Sequence, residues 1–342
     1  FARSVGYAVV KKPEGYTTAK VDQIIQEYEK KSANEQQSTA KQYPNIITVV
    51  NETFADIKVL GDFKTNEDYM PYFHSLKKNC VTGYTYASIV GGQTANTEFE
   101  LLTGNTLGFL SAGTTAFQLY IHGQMPSLVS NLKAEGYSGN KAMHPFNPYN
   151  YNRPAVYKDF GFTDFIDKFD FPKNVKRVRE YISDEANVDR IISEYEKNRK
   201  KTDQPFYMYN MTIQNHSPYD KDAANFKQPI KIESSKYDAE ANRYLNLIKY
   251  SDDSLKQLTS YFEKCKEPTI ILFLGDHQPR LTDEFMNKIT NGQYQTWSSE
   301  QMMKRYQVPF VIWANYDIKE QHIEKTSMNY IQSILTKTAG VK

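Results

Sequence analysis

The 342-residue chain has little cysteine and no long apolar run. Its 2 cysteines, Cys80 and Cys265, are too few for a disulfide scaffold and do not form the C-x-x-C spacing of a structural zinc site, so they are either free or bridged to each other. The longest apolar runs, such as 46–50 and 270–274, are far shorter than the roughly 20 residues that a membrane-spanning helix needs. Runs of this length suit buried strands.

The chain also has no excess of charge of one sign. Its 42 Lys and Arg nearly balance its 40 Asp and Glu, for a net charge of +2, so nucleic acid is not expected as a partner. With 39% hydrophobic and 24% charged residues it has enough apolar material for one main folded domain. What it does have is aromatic residues, 26 Tyr and 19 Phe. Such side chains suit sugar or lipid-headgroup surfaces, and core packing equally well.

The first part of the chain differs from the rest. Residues 20–42 combine a few apolar side chains with many Lys, Glu and Gln, which predicts a solvated amphipathic helix or linker. We therefore expect an N-terminal helical linker segment at 1–43 and a catalytic domain at 44–342. The chain opens on Phe1 rather than Met, and we interpret it as a fragment from which a targeting or anchoring segment has been removed.

Strand and helix patterns alternate from residue 44 onward. Apolar or alternating runs predict strands at 46–50, 206–213, 269–274 and 308–314, with a shorter strand from 137 towards 144. Helical spacing predicts helices that begin near 94 and that span 124–136, 175–200 and 238–264. This alternation is typical of an α/β fold, a three-layer sandwich with a mostly parallel central sheet. In such sheets ligands bind outside the carboxyl ends of the strands.

Four chemically active side chains follow predicted strands and should share one rim: Glu52, His216, Asp276 and His277. The Asp-His pair combines a hard oxygen ligand with an imidazole, and Gly275 before it would let the backbone approach a ligand closely. Each motif alone also fits a plain structural role, an ordinary turn for Gly275-Asp276-His277 and a helix cap for Glu52. Their convergence on one rim favours a site for a divalent cation.

Thr94 follows Gly91-Gly92-Gln93 where a helix is predicted to begin, and Thr94 and Thr97 are both candidate N-caps. A threonine hydroxyl is a poor nucleophile at neutral pH, and a cation bound to its oxygen would favour the alkoxide. The helix amino end and the glycines would add N–H donors for phosphate oxygens. Three oxygen donors and one nitrogen suit Mn²⁺ or Mg²⁺, with Zn²⁺ as an alternative.

In their order along the chain, these motifs resemble the extracellular domain of lipoteichoic acid synthase and related phosphoglycerol transferases. The resemblance covers about 44–315 and is carried by Asn51-Glu52, Gly92-Gln93-Thr94-Ala95-Asn96-Thr97-Glu98, His144 with Tyr151-Asn152-Arg153, Asn215-His216 and Gly275-Asp276-His277. It implies a fold of the sulfatase and alkaline phosphatase type. It also implies that Glu52, Thr94, Asp276 and His277 bind manganese and that Thr94 is the nucleophile.

By the same resemblance, four further residues surround the phosphoglycerol group: His144, Tyr151, Arg153 and His216. Tyr151 stands where lipoteichoic acid synthases carry Trp. The planar fork of Arg153 could bind a phosphate through two hydrogen bonds, although a surface cation is an equally plain interpretation. A transferase needs a proton donor and acceptor, and we expect His216 rather than His144 to fill that role.

The resemblance implies transfer of glycerol phosphate from phosphatidylglycerol, through a threonine-linked intermediate, at the outer face of a cell membrane. The acceptor stays open, because Phe146 and Gln278-Pro279-Arg280-Leu281 depart from the family pattern. A cell-wall glycan and a teichoic acid both fit. Rival functions are phosphoethanolamine transfer, hydrolysis by a phosphodiesterase or sulfatase, and glycan binding without catalysis. The C/S-x-P-x-R signature of sulfatases is missing around Thr94.

Overall fold

The computed structural model describes residues 12–35, 43–233, 239–292 and 294–341. Its strands are β1 (Asn45–Asn51), β2 (Cys80–Tyr86), β3 (Ser138–Met143), β4 (Asp164–Ile166), β5 (Arg177–Val178), β6 (Tyr181–Ile182), β7 (Phe206–Met211), β8 (Thr269–Gly275), β9 (Gln307–Ala314) and β10 (Gln321–Ser327). Its helices are α1 (Thr18–Glu35), α2 (Pro71–Ser75), α3 (Thr94–Thr103), α4 (Ala116–Leu119), α5 (Leu128–Ala134), α6 (Arg153–Phe160), α7 (Asp184–Arg199), α8 (Ala239–Phe262), α9 (Asp283–Ile289), α10 (Ser299–Met303) and α11 (Ile331–Ala339).

An 8-stranded sheet, ordered β10-β2-β9-β8-β1-β7-β3-β4, forms the centre of the molecule. Each neighbouring pair is parallel except the two pairs that include β9, so every strand but β9 runs in the same direction. The predicted mostly parallel sheet is confirmed. Strands β5 and β6 form a separate antiparallel hairpin.

Helices cover both faces of this sheet, which makes the predicted three layers. Along β1, Ile46 packs into one hydrophobic core and Ile47 into the other. Helices α3 to α6 and α11 contribute to the first core, and α2, α7, α8 and α9 pack on the second. A central strand buried on both faces needs apolar residues at consecutive positions, which explains the apolar runs of β1 and β8.

The strands with strong apolar or alternating patterns, β1, β7, β8 and β9, lie where they were predicted, and so does the shorter β3. Three strands of the sheet, β2, β4 and β10, were not predicted. β10 is at the sheet edge and its side chains are exposed or half-buried, so it carries no apolar run. β2 places half-buried residues between buried ones over only 7 positions.

The helix predicted over 175–200 is wrong in its first part. The hairpin β5–β6 occupies 177–182, and α7 starts at Asp184 with Ser183 as its N-cap. The Ser183 Oγ accepts a hydrogen bond from the Ala186 N–H at 3.2 Å. The local start signal, a serine followed by Asp184 and Glu185, identifies this boundary better than apolar spacing does.

The N-terminal helical prediction is met by α1 from Thr18 to Glu35, whereas residues 1–11 and 36–42 lie outside the described residues. The division into segments 1–43 and 44–342 stays a prediction. Within the part of the chain that the structure describes, no helix is both long and apolar enough to cross a membrane. Cys80 and Cys265 are free thiols.

Candidate active site

Three neighbouring parallel strands bring predicted site residues to one edge of the sheet. β1 and β8 pair in register with Asn51 opposite Gly275, so the residues that follow, Glu52 and Asp276, emerge side by side. β7 pairs with the other side of β1, and the loop after it carries His216. The strand pattern therefore places these side chains as expected for ligands at the carboxyl ends of parallel strands.

Glu52, Asp276 and His277 form a buried cluster in which one ligand atom from each lies within 4.8 Å of the others. The Nε2 atom of His277 is 3.2 Å from Asp276 Oδ2 and 3.8 Å from Glu52 Oε1. Among the described residues, neither this Nε2 nor this Oδ2 has a hydrogen-bond partner. Buried polar atoms are nearly always satisfied, and a bound cation would satisfy both.

The backbone around the cluster turns its ligand atoms inward. His277 Nδ1 is 3.0 Å from the Gln278 carbonyl oxygen, which can only accept, so Nδ1 carries the proton and the lone pair of the neutral ring is on Nε2. Asp276 Oδ1 accepts from the N–H groups of Thr53 at 2.6 Å and His277 at 2.8 Å. Oδ2 is thereby left for a ligand. Burial raises the pKa of Asp276 to about 6. The positive charge of a protonated His277 opposes this rise, whereas the Glu52 carboxylate adds to it.

Thr94 is the first residue of α3, and its hydroxyl is 3.5 Å from Glu52 Oε2. The N-cap is Gln93, in a left-handed conformation at φ 65°, ψ 38°, so the predictions of Thr94 or Thr97 as the N-cap are wrong. Thr97 instead donates through Oγ1 to the Asp276 carbonyl oxygen at 2.7 Å. This bond ties α3 to the turn after β8 and holds the Thr94 hydroxyl beside the cluster.

The residues fit a divalent cation. Two carboxylates, a hydroxyl and an imidazole nitrogen would provide oxygen-rich coordination that suits Mn²⁺ or Mg²⁺ and is compatible with Zn²⁺. The two acidic side chains would also repel each other without a counter-charge, since both are buried.

A cavity of about 420 Å³ opens beside the cluster. The predicted site residues in its walls are Glu52, Thr94, His144, Tyr151, Arg153, His216 and His277. Side chains from five separate stretches of chain thus face one space, large enough for a small phosphate ester.

His144 is buried at the inner wall of this cavity. Its Nδ1 donates to the Met211 carbonyl oxygen at 3.0 Å, which leaves the lone pair on Nε2. Burial, assisted by the positive charge of Arg153, lowers the pKa of His144 well below its ordinary value. This shift favours the neutral ring, whose Nε2 can accept a hydrogen bond from a ligand hydroxyl.

Arg153 is also buried, but one edge of its guanidinium is already occupied. Its Nε and Nη2 donate to Glu98 Oε1 at 3.1 and 2.7 Å. The other oxygen of Glu98 accepts from the hydroxyls of Tyr157 and, at 3.1 Å, Tyr209. A phosphate could therefore bind only the remaining N–H groups of Arg153. The two-bond phosphate contact predicted from the sequence is limited, because part of the guanidinium already binds Glu98.

Glu98 was quoted in the sequence motif but given no role. Its position, one helical turn after Thr94 on α3, was the available signal, because residues four apart share a helix face. Nothing in the sequence indicates that Arg153, 55 residues further on, is its partner.

Tyr151 and His216 lie at the cavity wall with more exposure. Tyr151 and Asn152 both have left-handed backbones, at φ 57° and 58°, and the Tyr151 ring lies 5.2 Å from the Arg153 guanidinium carbon. His216 is half-buried, with Nδ1 2.7 Å from the Ser217 carbonyl oxygen. The Phe146 ring stacks on it at a centroid distance of 6.3 Å.

The fold is an α/β sandwich of the alkaline phosphatase and sulfatase type, with a buried cluster of ligand residues at the carboxyl edge of its sheet. The chain belongs to the sulfatase family, whose model matches residues 44–341. Its sequence is 32% identical over 348 residues to a protein of Rhizobium meliloti named for modification of cyclic β-1,2-glucan. That match includes 99% of this chain and 52% of the relative, so the chain spans about half the relative's length.

Two solved structures confirm the predicted fold. The phosphoglycerol transferase GacH of Streptococcus pyogenes, in complex with sn-glycerol-1-phosphate, superimposes with a TM-score of 0.81 and 20% identity, covering 97% of this chain and 85% of that one. The lipoteichoic acid synthase LtaP of Listeria monocytogenes has a TM-score of 0.71 and 23% identity, covering 89% and 73%. The resemblance found in the sequence is thus confirmed.

Proposed function

We propose that this chain is the catalytic part of a phosphoglycerol transferase that depends on a divalent cation, with Mn²⁺ as the expected metal. It moves glycerol phosphate from phosphatidylglycerol to a hydroxyl group of a cell-envelope polymer. The proposal includes residues 44–342 as the catalytic domain and 1–43 as a linker to a membrane anchor, at the extracellular face of the membrane.

The observation that carries this proposal is the position of Thr94. Its hydroxyl lies 3.5 Å from Glu52, beside two buried ligand atoms of Asp276 and His277 that have no partner among the described residues. A bound divalent cation would neutralise charge on a phosphate and favour ionised Thr94. Because the family's sulfatase signature is missing around Thr94, phosphoryl chemistry is favoured over sulfate ester hydrolysis.

The reaction has two balanced steps. Thr94 Oγ1 bonds to phosphorus, the bond from phosphorus to the diacylglycerol oxygen breaks, and the proton lost by Thr94 ends on the released diacylglycerol. An acceptor hydroxyl then bonds to phosphorus, its proton returns to Thr94, and the bond from Thr94 to phosphorus breaks. Each step needs a group that moves the proton, and the proposed group is His216, which lines the cavity.

Three buried or half-buried residues would hold the glycerol phosphate: His144, Tyr151 and Arg153. His144 offers a neutral acceptor nitrogen for a glycerol hydroxyl, and Arg153 offers its remaining N–H groups to the phosphate. The structure of GacH with sn-glycerol-1-phosphate supports this class of ligand for the cavity.

The acceptor is a glycan or a teichoic acid in this proposal. The relative from Rhizobium meliloti is named for modification of a cyclic glucan, and LtaP is named as a lipoteichoic acid synthase. These names support acceptors made of sugar or polyol hydroxyls.

The direct test is mass spectrometry of the protein after incubation with phosphatidylglycerol vesicles and Mn²⁺. We expect a glycerophosphoryl group on Thr94, release of diacylglycerol, and loss of both in Thr94→Ala. Parallel vesicles of phosphatidylethanolamine separate the rival headgroup. A phosphoethanolamine adduct in place of the glycerol one, or full turnover by Thr94→Ala, would contradict the proposal.

A further inference from the structure

The hairpin β5–β6 touches the loop that carries His216 through one side chain, Arg179. The Nη2 atom of Arg179 donates to the carbonyl oxygens of Gln214 and His216, both at 2.8 Å. Its Nη1 atom donates to the Pro218 carbonyl oxygen, also at 2.8 Å. One guanidinium therefore binds three carbonyl groups of the loop: that of His216 itself, one that precedes His216 in the chain and one that follows it.

Arg179 forms no ion pair with any residue that the structure describes, although it is half-buried. Its guanidinium carbon lies 5.2 Å from the ring centre of Tyr181 and 5.9 Å from that of Tyr219. Carbonyl dipoles and ring faces therefore contact the guanidinium, and the carboxylates of Glu180 and Asp220 favour its charge from beyond ion-pair distance. Only arginine has enough donors in a fixed plane to reach three carbonyl groups at once.

The hairpin that presents Arg179 is itself held in place. The Asn225 side-chain amide donates to the carbonyl oxygens of Arg177 at 3.1 Å and Arg179 at 3.0 Å. Arg179 has a left-handed backbone at φ 55°, which places it in the hairpin turn. Asn225 thus ties the hairpin to the segment that follows the His216 loop.

The backbone that Arg179 holds also contacts the His216 ring. Nδ1 of His216 is 2.7 Å from the carbonyl oxygen of Ser217, which lies between two of the held carbonyls. The Tyr181 hydroxyl, from the same hairpin, is 3.5 Å from this Nδ1. With the proton on Nδ1, the lone pair lies on Nε2, which is the atom that could exchange protons with a substrate.

We infer that Arg179 is a positioning residue that aims His216 Nε2 at the reacting oxygen atoms. This inference rests on the proposed function, in which His216 moves the proton. A general acid or base must lie within hydrogen-bond reach of its proton, and a misplacement of about 1 Å can cost roughly 100-fold in rate. Loss of the guanidinium would leave three carbonyl groups of the His216 loop without this hydrogen-bond donor. The distance from His216 Nε2 to the reacting oxygen atoms would then be less well fixed.

The test compares Arg179→Gln with the matched control Arg177→Gln. Arg177 lies on the same hairpin and is exposed, and its Nη1 donates to the Glu180 carbonyl oxygen of the hairpin itself. Two substrates that donate glycerol phosphate are compared. One is phosphatidylglycerol, and the other is a p-nitrophenyl phosphodiester of glycerol, whose leaving group departs without protonation. In the proposed function the bound cation favours ionised Thr94, so His216 is needed in the first step chiefly to protonate the diacylglycerol oxygen. We therefore expect Arg179→Gln to slow the reaction with phosphatidylglycerol about 100-fold, while the first-turnover burst of p-nitrophenolate changes little. Arg177→Gln should resemble the wild type with both donors.

Arg179→Lys keeps the positive charge but not the planar set of hydrogen-bond donors. Its rate with phosphatidylglycerol should therefore lie between those of the wild type and Arg179→Gln. It also serves as the test variant if circular dichroism shows that Arg179→Gln is unfolded. An equal loss with both donors, or a loss no larger than that of Arg177→Gln, would overturn the inference.

His216→Ala separates this inference from the proposed function. If His216→Ala slows phosphatidylglycerol turnover and Arg179→Gln does not, only the positioning role of Arg179 is wrong. If His216→Ala leaves turnover unchanged, the role of His216 in the proposed function fails, and the inference fails with it.

Discussion

Arg153 and Glu98 form a buried ion pair in which Nη2 of the arginine is 2.7 Å from Oε1 of the glutamate. Both side chains are at most 2% exposed. Glu98 lies on α3 and Arg153 begins α6, so the pair connects the helix that starts at Thr94 to the loop that carries Tyr151. The pair therefore has a structural role, and its Arg153 also lines the cavity.

Replacing Glu98 by Gln should be strongly destabilising. It leaves the Arg153 charge buried without a counter-charge, and breaking a buried pair in this way costs about 3–5 kcal/mol. The measurement is the free energy of unfolding in urea. Asp253→Asn is the matched control, because it breaks the more exposed pair with Lys249 and should cost less than about 1 kcal/mol. A similar small cost for both variants would contradict the prediction.

The rim of the sheet was predictable from the sequence, whereas the Glu98 pair was not. Apolar runs identify β1 and β8, and polar residues just after parallel strands must meet at one edge, so Glu52 and Asp276 follow from local pattern. The contact of Glu98 with Arg153 depends on how α3 and α6 pack, which no local pattern contains. The hairpin that presents Arg179 was missed for a different reason, because two residues per strand carry no periodic signal.

Gly275 is required by its neighbour Phe54 rather than by a ligand. A Cβ atom added at Gly275 would lie 1.8 Å from the Phe54 carbonyl oxygen, in the segment just after β1. Gly275→Ala must therefore separate the turns that carry Glu52 and Asp276. We expect a loss of at least about 1–3 kcal/mol in stability, together with weaker cation binding.

Thermal unfolding with and without Mn²⁺ measures both effects of Gly275→Ala. Gly292→Ala is the control, because a Cβ there meets nothing within 4 Å. Wild-type behaviour of Gly275→Ala would show that the two turns can move apart without cost.

Mn²⁺ should stabilise the wild-type protein against unfolding, and Asp276→Asn should abolish most of this effect. Asn keeps the shape of the side chain but replaces Oδ2 or Oδ1 by an amide and removes one ligand charge. A cation at about 100 times its dissociation constant adds about 2.7 kcal/mol to stability. In the absence of metal, Asp276→Asn is expected to be at least as stable as the wild type, because one of two neighbouring buried carboxylates is gone.

The metal effect is measured as the shift in melting temperature over a Mn²⁺ titration after treatment with a chelator. Asp203→Asn, at an exposed position paired with Arg199, should keep the full shift. An unchanged shift in Asp276→Asn would place the cation elsewhere and remove the basis for Thr94 as the activated nucleophile.

His74, which lies between two carboxylates outside the cation cluster, should make stability depend on pH. Its Nε2 is 3.7 Å from Asp56 Oδ2 and its Nδ1 is 2.8 Å from Asp68 Oδ2. The bond to Asp56, aided by Asp68 and opposed by burial, raises the pKa of His74 from 6.5 to about 9. The folded state therefore binds this proton more tightly than the unfolded chain does.

The stabilisation from His74 is complete below pH 6.5 and is lost as pH rises through about 9. Because about a third of the His74 side chain is exposed, solvent screening limits the effect to about 1 kcal/mol. Urea unfolding of the wild type and His74→Gln should thus differ below pH 6.5 and converge above pH 9. His122→Gln is the control, since its Nε2 contacts the Leu119 carbonyl oxygen on the surface. A difference for His74→Gln that persists unchanged above pH 9 would mean that packing, and not the protonated ring between two carboxylates, stabilises this corner of the fold.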